Sequence, residues 1–127
     1  MAGRYNPVVM DHFLHPRRVG DLDDANARAT AENGACGDTL QLQLRIEGDR
    51  IVDSRFRALG CTASIAASSF LAEWLAGRSL DEARALTNEA LAAAMGGLPP
   101  GRTHCSVLAE EALSGCLADH ARRASGR

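Results

Sequence analysis

The stretch Leu40-Gln41-Leu42-Gln43-Leu44-Arg45-Ile46-Glu47, followed by Gly48-Asp49-Arg50 and then Val52-Asp53-Ser54-Arg55-Phe56-Arg57-Ala58, decides the architecture. Strict alternation puts Leu40, Leu42, Leu44 and Ile46 on one side and Gln41, Gln43, Arg45 and Glu47 on the other, the mark of a half-buried strand. Gly48, Asp49 and Arg50 read as a turn, after which Val52, Ser54, Phe56 and Ala58 continue the inner face opposite Asp53, Arg55 and Arg57. The segment is therefore a β-hairpin.

Helices flank it. Asn6 before Pro7 is a helix start, with an apolar side of Val8, Val9, Met10, Phe13 and Leu14, and Pro16 stops that helix after His15. Residues 17–35 read mostly as loop, with room for a short edge strand over 28–34. Gly60 ends the second strand, and Cys61-Thr62 open an Ala-rich helix with Ile65, Phe70, Leu71, Trp74 and Leu75 as its apolar residues, closed by Gly77. Ser79 and Glu82 form a capping box for a short helix to about Leu86, and another runs over roughly 88–95. Leu98-Pro99-Pro100-Gly101 is extended, and a last helix starts near His104 carrying Val107, Leu108, Ala112, Leu113, Cys116 and Leu117. This order predicts an α+β fold: a small antiparallel sheet, hairpin plus an optional third strand, with helices packed mainly on one face.

The 127 residues suit one domain over 1–127, and an apolar fraction of 46% supports a core that does not need metal or disulfides. Fourteen basic residues against sixteen acidic ones give a net charge of −2, with no basic block to attract nucleic acid or an anionic membrane. Every basic residue is Arg; the absence of Lys removes Schiff-base chemistry, a lysine base and a Walker-type loop. The N-terminus has no apolar signal segment and the stretch from Ile65 to Ala76 is interrupted by Ser68, Ser69 and Glu73, so a cytoplasmic protein is expected. In that reducing compartment Cys36, Cys61, Cys105 and Cys116 are free thiols.

The element order gathers those thiols. Cys36 precedes the first hairpin strand and Cys61 follows the second, so the hairpin returns both to one end of the sheet. Cys61 and Cys105 fall in the first turns of helices, where the partial positive charge favours thiolate. Gly34 and Gly37 flank Cys36 and permit positive φ, with Asp38 two residues on. His104 adjoins Cys105. Cys116 shares a face with Cys105 but lies about 16 Å along the helix, too far for a shared metal, and reads as a buried small hydrophobe. His12 and His15 read as surface or packing residues. Without any Cys-x-x-Cys pair, zinc fingers, thioredoxin-like redox pairs and ferredoxin ligation are disfavoured. Spacing alone says that Cys36, Asp38, Cys61, His104 and Cys105 form a metal or sulfur site.

Ala35-Cys36-Gly37-Asp38, Gly60-Cys61-Thr62-Ala63-Ser64, Glu73-Trp74-Leu75-Ala76-Gly77, Leu98-Pro99-Pro100 and His104-Cys105-Ser106-Val107-Leu108-Ala109-Glu110 closely resemble the IscU/NifU N-terminal type of iron-sulfur cluster assembly scaffold. Asp11-His12, His15-Pro16-Arg17 and Val19-Gly20 fit the opening helix and loop of that family. The resemblance implies a carrier rather than an enzyme: one that takes sulfur from a cysteine desulfurase, binds iron, assembles a labile 2Fe-2S cluster and passes it to apo iron-sulfur proteins. It implies Cys36, Cys61 and Cys105 as cluster thiols, Asp38 and His104 as accessory ligands, and Cys105 as persulfide acceptor. Three thiolates with a harder, protonatable fourth ligand hold a cluster less firmly than four thiolates, and the same set satisfies tetrahedral zinc.

The sequence departs from the family where an Hsp70-type chaperone would bind: Leu98-Pro99-Pro100-Gly101-Arg102 replaces Leu-Pro-Pro-Val-Lys, keeping charge but losing an apolar side chain, which weakens that implied pairing. The alternative within the resemblance is a zinc-bound SufU-like sulfurtransferase relaying persulfide. That branch carries an insertion before its last cysteine and lacks the His-Cys pair, so His104-Cys105 favours the IscU/NifU side.

Overall fold

Three antiparallel strands in the order β1-β2-β3 form the sheet, from β1 (Ala27–Asn33), β2 (Asp38–Glu47) and β3 (Arg50–Leu59). The helices are α1 (Pro7–Leu14), α2 (Thr62–Leu75), α3 (Leu80–Ala85), α4 (Asn88–Ala94) and α5 (His104–Ser125). The computed structural model describes residues 5–34, 37–99 and 102–125; Cys36, Pro100 and Gly101 lie outside them. Helices α2 and α5 pack on the face presented by Leu40, Leu42, Leu44, Ile46 and Phe56, all buried, as an α+β fold requires. Among the described residues no helix is long and apolar enough to cross a membrane.

Local signals place the helix ends. Asn6 accepts the Val9 N–H at 3.0 Å with Pro7 behind it, and both halves of the Ser79/Glu82 capping box form. Asn6 also donates from Nδ2 to the Gly97 carbonyl at 2.9 Å, tying the start of α1 to the segment that leads into α5.

The edge strand left open by the sequence exists, over Ala27–Asn33. Its inward residues are Ala27, Ala29 and Ala31, because α5 passes so close that a Cβ on Gly115 would lie 2.8 Å from the Ala29 methyl. Residues 17–26 cross the outer side of the sheet. There Gln43, buried, accepts the Leu22 N–H and donates to Asp21, while Gly20 and Arg18 close backbone hydrogen bonds to Phe56.

The hairpin differs from the expected one in its turn and its register. The turn is two residues, Gly48-Asp49, with Arg50 already paired to Glu47, and the register shifts between Arg45 and Ile46 so that Ile46 faces Ile51 while Arg45 faces Asp53. This bulge inserts Val52 and reverses the phase of the first residues of β3: Ile51 is fully buried and Val52, expected inside, is 45% exposed. We expect Ile51→Ala to lower stability by about 3 kcal/mol and Val52→Ala by less than about 1 kcal/mol in denaturant unfolding. Equal losses would contradict the register.

In α2 the buried face is made mostly of small residues, Ala63, Ser64, Ala66, Ala67, Ser68, Ser69 and Ala72, with Leu71 and Leu75. Ile65, Phe70 and Trp74 are only partly buried. Small side chains let α2 sit between α1, β3 and α5. On α5 the buried stripe is Cys105, Leu108, Ala109, Ala112, Leu113 and Cys116, while Val107, read as apolar face, is 38% exposed. His12 is a packing residue: buried on α1, it meets the Ser69 hydroxyl at 2.8 Å and tilts against Phe70.

Candidate metal centre

Three chain segments meet at one end of the sheet. Asp38 is the first residue of β2, Cys61 is the N-cap of α2, and Cys105 is the second residue of α5. The hairpin carries Asp38 and the end of β3 to the same place, pairing Thr39 with Leu59. Gly60, at φ +152°, then turns the chain into α2. A Cβ there would stand 2.4 Å from Asp38 Oδ1, so only Gly lets the carboxylate lie under the turn. Gly37 takes positive φ, +73°, as anticipated; Gly34 does not.

The donor atoms of Asp38, Cys61 and Cys105 lie within 4.8 Å of one another. The Cys61 and Cys105 sulfurs are 3.7 Å apart, which matches the edge of a tetrahedron whose metal–sulfur bonds are about 2.3 Å. His104 Nε2 is 3.4 Å from Asp38 Oδ2 and 3.6 Å from Cys105 Sγ, so the imidazole borders the set. Asp38 and Cys105 are buried and Cys61 is half-buried. Two soft sulfurs, a hard oxygen and a nearby imidazole suit zinc or iron. Cys36, one residue from Gly37, lies outside the described residues. Cys116 is fully buried and donates its S–H to the Leu42 carbonyl at 3.1 Å, as befits a small core residue.

The two helix-start thiols ionise differently: Cys61 follows the expectation of a favoured thiolate and Cys105 does not. Burial pushes Cys61 up, but hydrogen bonding with the Ser64 hydroxyl and backbone and with Cys105 outweighs it and leaves its pKa below the ordinary value. For Cys105, burial dominates the helix N-terminus and, with the negative charge of Cys61 and Asp38, raises the pKa to about 12; burial does the same for Cys116, also to about 12. A low-pKa Cys105 was expected from its helix position alone, and desolvation wins there. In metal-free protein near pH 8, iodoacetamide followed by peptide mapping is expected to label Cys61 well ahead of Cys105 and Cys116, because of these three described thiols Cys61 ionises most readily and is the least buried. Labelling of Cys105 first would contradict this order.

The sequence reading missed Ser64. Its hydroxyl, 1% exposed as a residue, lies 2.6 Å from Asp38 Oδ2, 3.2 Å from Cys105 Sγ and 3.5 Å from Cys61 Sγ. Its position three residues after Cys61, at the start of a helix, was the available signal, since residues three apart share a helix face.

This small α+β fold draws two thiols and a carboxylate from separate elements to one end of its sheet, a donor set able to hold a metal ion. The chain belongs to the NifU-like N terminal domain family, whose model matches residues 4–126. It is 42% identical over 120 residues to the "Iron-sulfur cluster assembly scaffold protein IscU" of Escherichia coli K12, covering 91% of this chain and 93% of that one. It is 40% identical over 119 residues to "Iron-sulfur cluster assembly scaffold protein IscU 1" of Archaeoglobus fulgidus, covering 94% of this chain and 78% of the relative. In structure it resembles the N-terminal NifU-like protein of Brucella abortus, with a TM-score of 0.78 at 22% identity over 94% of this chain and 96% of that one, a likeness of fold.

Proposed function

We propose that this chain is an iron-sulfur cluster assembly scaffold: a single domain that receives sulfur from a cysteine desulfurase, combines it with iron into a 2Fe-2S cluster, and hands the cluster to apo-proteins. The observation that carries the reading is the convergence of Cys61, Cys105 and Asp38 at one end of the sheet, in a chain 42% identical to a named scaffold. Cys36, two residues before Asp38 in the sequence, is the third thiol in this scheme. His104, in contact distance of Asp38 and Cys105, is the second accessory group. The cluster is the cargo and the protein is its carrier, working in a reducing cytoplasm where the thiols stay free.

The chemistry follows from the donor set. Iron coordination needs thiolates, so binding displaces the protons that burial otherwise keeps on Cys105. Attack of the Cys105 thiolate on the outer sulfur of the desulfurase persulfide would move that sulfur to Cys105 and release the desulfurase thiolate; the Cys61 and Cys105 Sγ atoms, 3.7 Å apart, are near enough for both to bind one iron. An oxygen ligand binds a ferric cluster less durably than a fourth thiolate and marks the position where an acceptor's thiolate enters. Replacing Asp38 by Ala removes that exchangeable ligand, and stopped-flow transfer to apo-ferredoxin is expected to slow about tenfold. An unchanged rate would count against Asp38 as the exchange position.

The reading is tested by anaerobic incubation with desulfurase, cysteine, ferrous iron and a thiol reductant, the last supplying the electrons beyond those of ferrous iron that persulfide sulfur needs to become sulfide. We expect the visible absorption of a bound 2Fe-2S cluster and its transfer to apo-ferredoxin. Colourless protein that accepts persulfide and retains only zinc would overturn the scaffold reading in favour of a sulfur relay.

A further inference from the structure

Asp38 is 2% exposed, yet it begins a strand whose neighbours offer its carboxylate few partners. Oδ1 lies against Gly60, where there is no side chain. Oδ2 has His104 Nε2 at 3.4 Å and the Ser64 hydroxyl at 2.6 Å. A hydroxyl carries one proton, and here three acceptors are in reach, Asp38 Oδ2, Cys105 Sγ at 3.2 Å and Cys61 Sγ at 3.5 Å. The shorter contact to a carboxylate takes the proton, since charge-assisted O–H···O bonds are the stronger kind. Ser64 is itself fixed by the helix, three residues into α2 from the Cys61 cap, so it ties the oxygen donor to both sulfur donors.

We propose that Ser64 is the positioning residue of the metal centre, its hydroxyl holding the Asp38 carboxylate turned toward Cys61 and Cys105 where it can act as the oxygen ligand. The inference rests on the metal-binding reading of the site. Ser64 need not touch the metal; it acts through Asp38, as outer partners of metal-ligating carboxylates do. Without the hydroxyl, the described structure leaves Oδ2 only the longer His104 contact, and a buried carboxylate so poorly held turns away from the sulfurs.

Cobalt(II) reports on this directly, because its visible spectrum follows the ligand set and its affinity can be titrated against a chelator without any cluster assembly. Ala at position 64, inside a helix already rich in Ala, keeps the fold, which melting of the metal-free variants verifies. We expect Ser64→Ala to weaken cobalt binding about tenfold and alter the visible band envelope. Asp38→Ala is expected to weaken it at least as much, and the double variant to bind no more weakly than Asp38→Ala alone. The same tenfold loss in the Asp38→Ala background would overturn the proposal, since the hydroxyl would then act on sulfur or on the fold. Cobalt affinity unchanged in Ser64→Ala would also overturn it. Failure of the unsubstituted chain to bind cobalt at all would instead defeat the metal-centre reading on which the proposal stands.

Discussion

Replacing Cys105 by Ser is expected to abolish cluster assembly and weaken zinc binding by at least about a hundredfold, a larger loss than the 10–100-fold typical of outer-shell changes. Cys105 sits at the head of the buried stripe of α5 and makes the sulfur–sulfur contact with Cys61 at 3.7 Å. It also touches Ser64 and His104, so every other described member of the site adjoins it or one of its neighbours. A serine hydroxyl in that place is a shorter, harder ligand that does not ionise near neutral pH, so the metal loses both a bond and a charge. Cys61→Ser should behave alike. Cys116→Ser is the control: its sulfur bonds the Leu42 carbonyl in the core, and a hydroxyl can make the same bond, so stability falls by about 1–2 kcal/mol while zinc affinity stays within about twofold. Chelator competition for zinc, read beside urea unfolding, separates these outcomes. A Cys116→Ser variant that lost metal while Cys105→Ser kept it would reverse the assignment of roles.

Gly60→Ala is the second substitution with a large expected effect. The added methyl would lie 2.4 Å from Asp38 Oδ1 and 2.9 Å from Asp38 Cγ, distances that real contacts do not sustain, and 3.2 Å from the Ser64 Cβ, a tight contact. The φ of +152° adds backbone strain of about 1–3 kcal/mol for any residue with a Cβ. Neither neighbour can give way cheaply: Ser64 is held in α2, and Asp38 is buried with Oδ2 already bonded. The carboxylate must therefore leave the donor set. We expect a lowered melting temperature in metal-free protein and a zinc affinity reduced about tenfold or more. A variant that is destabilised yet binds zinc normally would show that Asp38 contributes nothing to the centre.

The central strand could be read from its letters because its inward positions are leucines that meet two helices, and burial there makes alternation obligatory. The neighbouring strand could not, since its inward positions are alanines. They are alanines because α5 crosses them at Gly115, and a pattern of small residues carries little hydrophobic contrast. Val52 misled for a different reason: alternation is periodic only while the ladder is unbroken, and a one-residue bulge exchanges inside for outside. In α2 the large apolar residues drew the eye, although the face that packs is Ala and Ser.

The site was legible to the extent that it depends on where elements begin and end. Cys61 and Cys105 stand at helix starts and Asp38 at a strand start, all marked by Gly or Pro punctuation. What stayed hidden depends on depth and on contacts between segments. Sequence places a thiol at a helix N-terminus but does not say that it is buried, and for Cys105 burial decides the ionisation. Ser64 is hidden likewise, because one hydroxyl among several in a helix acquires meaning only when Asp38 is brought within 2.6 Å of it from another strand.

The most direct measurement of whether these groups hold one metal is zinc X-ray absorption on the loaded protein. We expect three sulfurs, from Cys36, Cys61 and Cys105, at about 2.3 Å with one oxygen or nitrogen at about 2.0–2.2 Å. Cys61→Ser and Cys105→Ser should each remove one sulfur from that shell. A shell of oxygen and nitrogen only, or one left intact by both substitutions, would contradict the account.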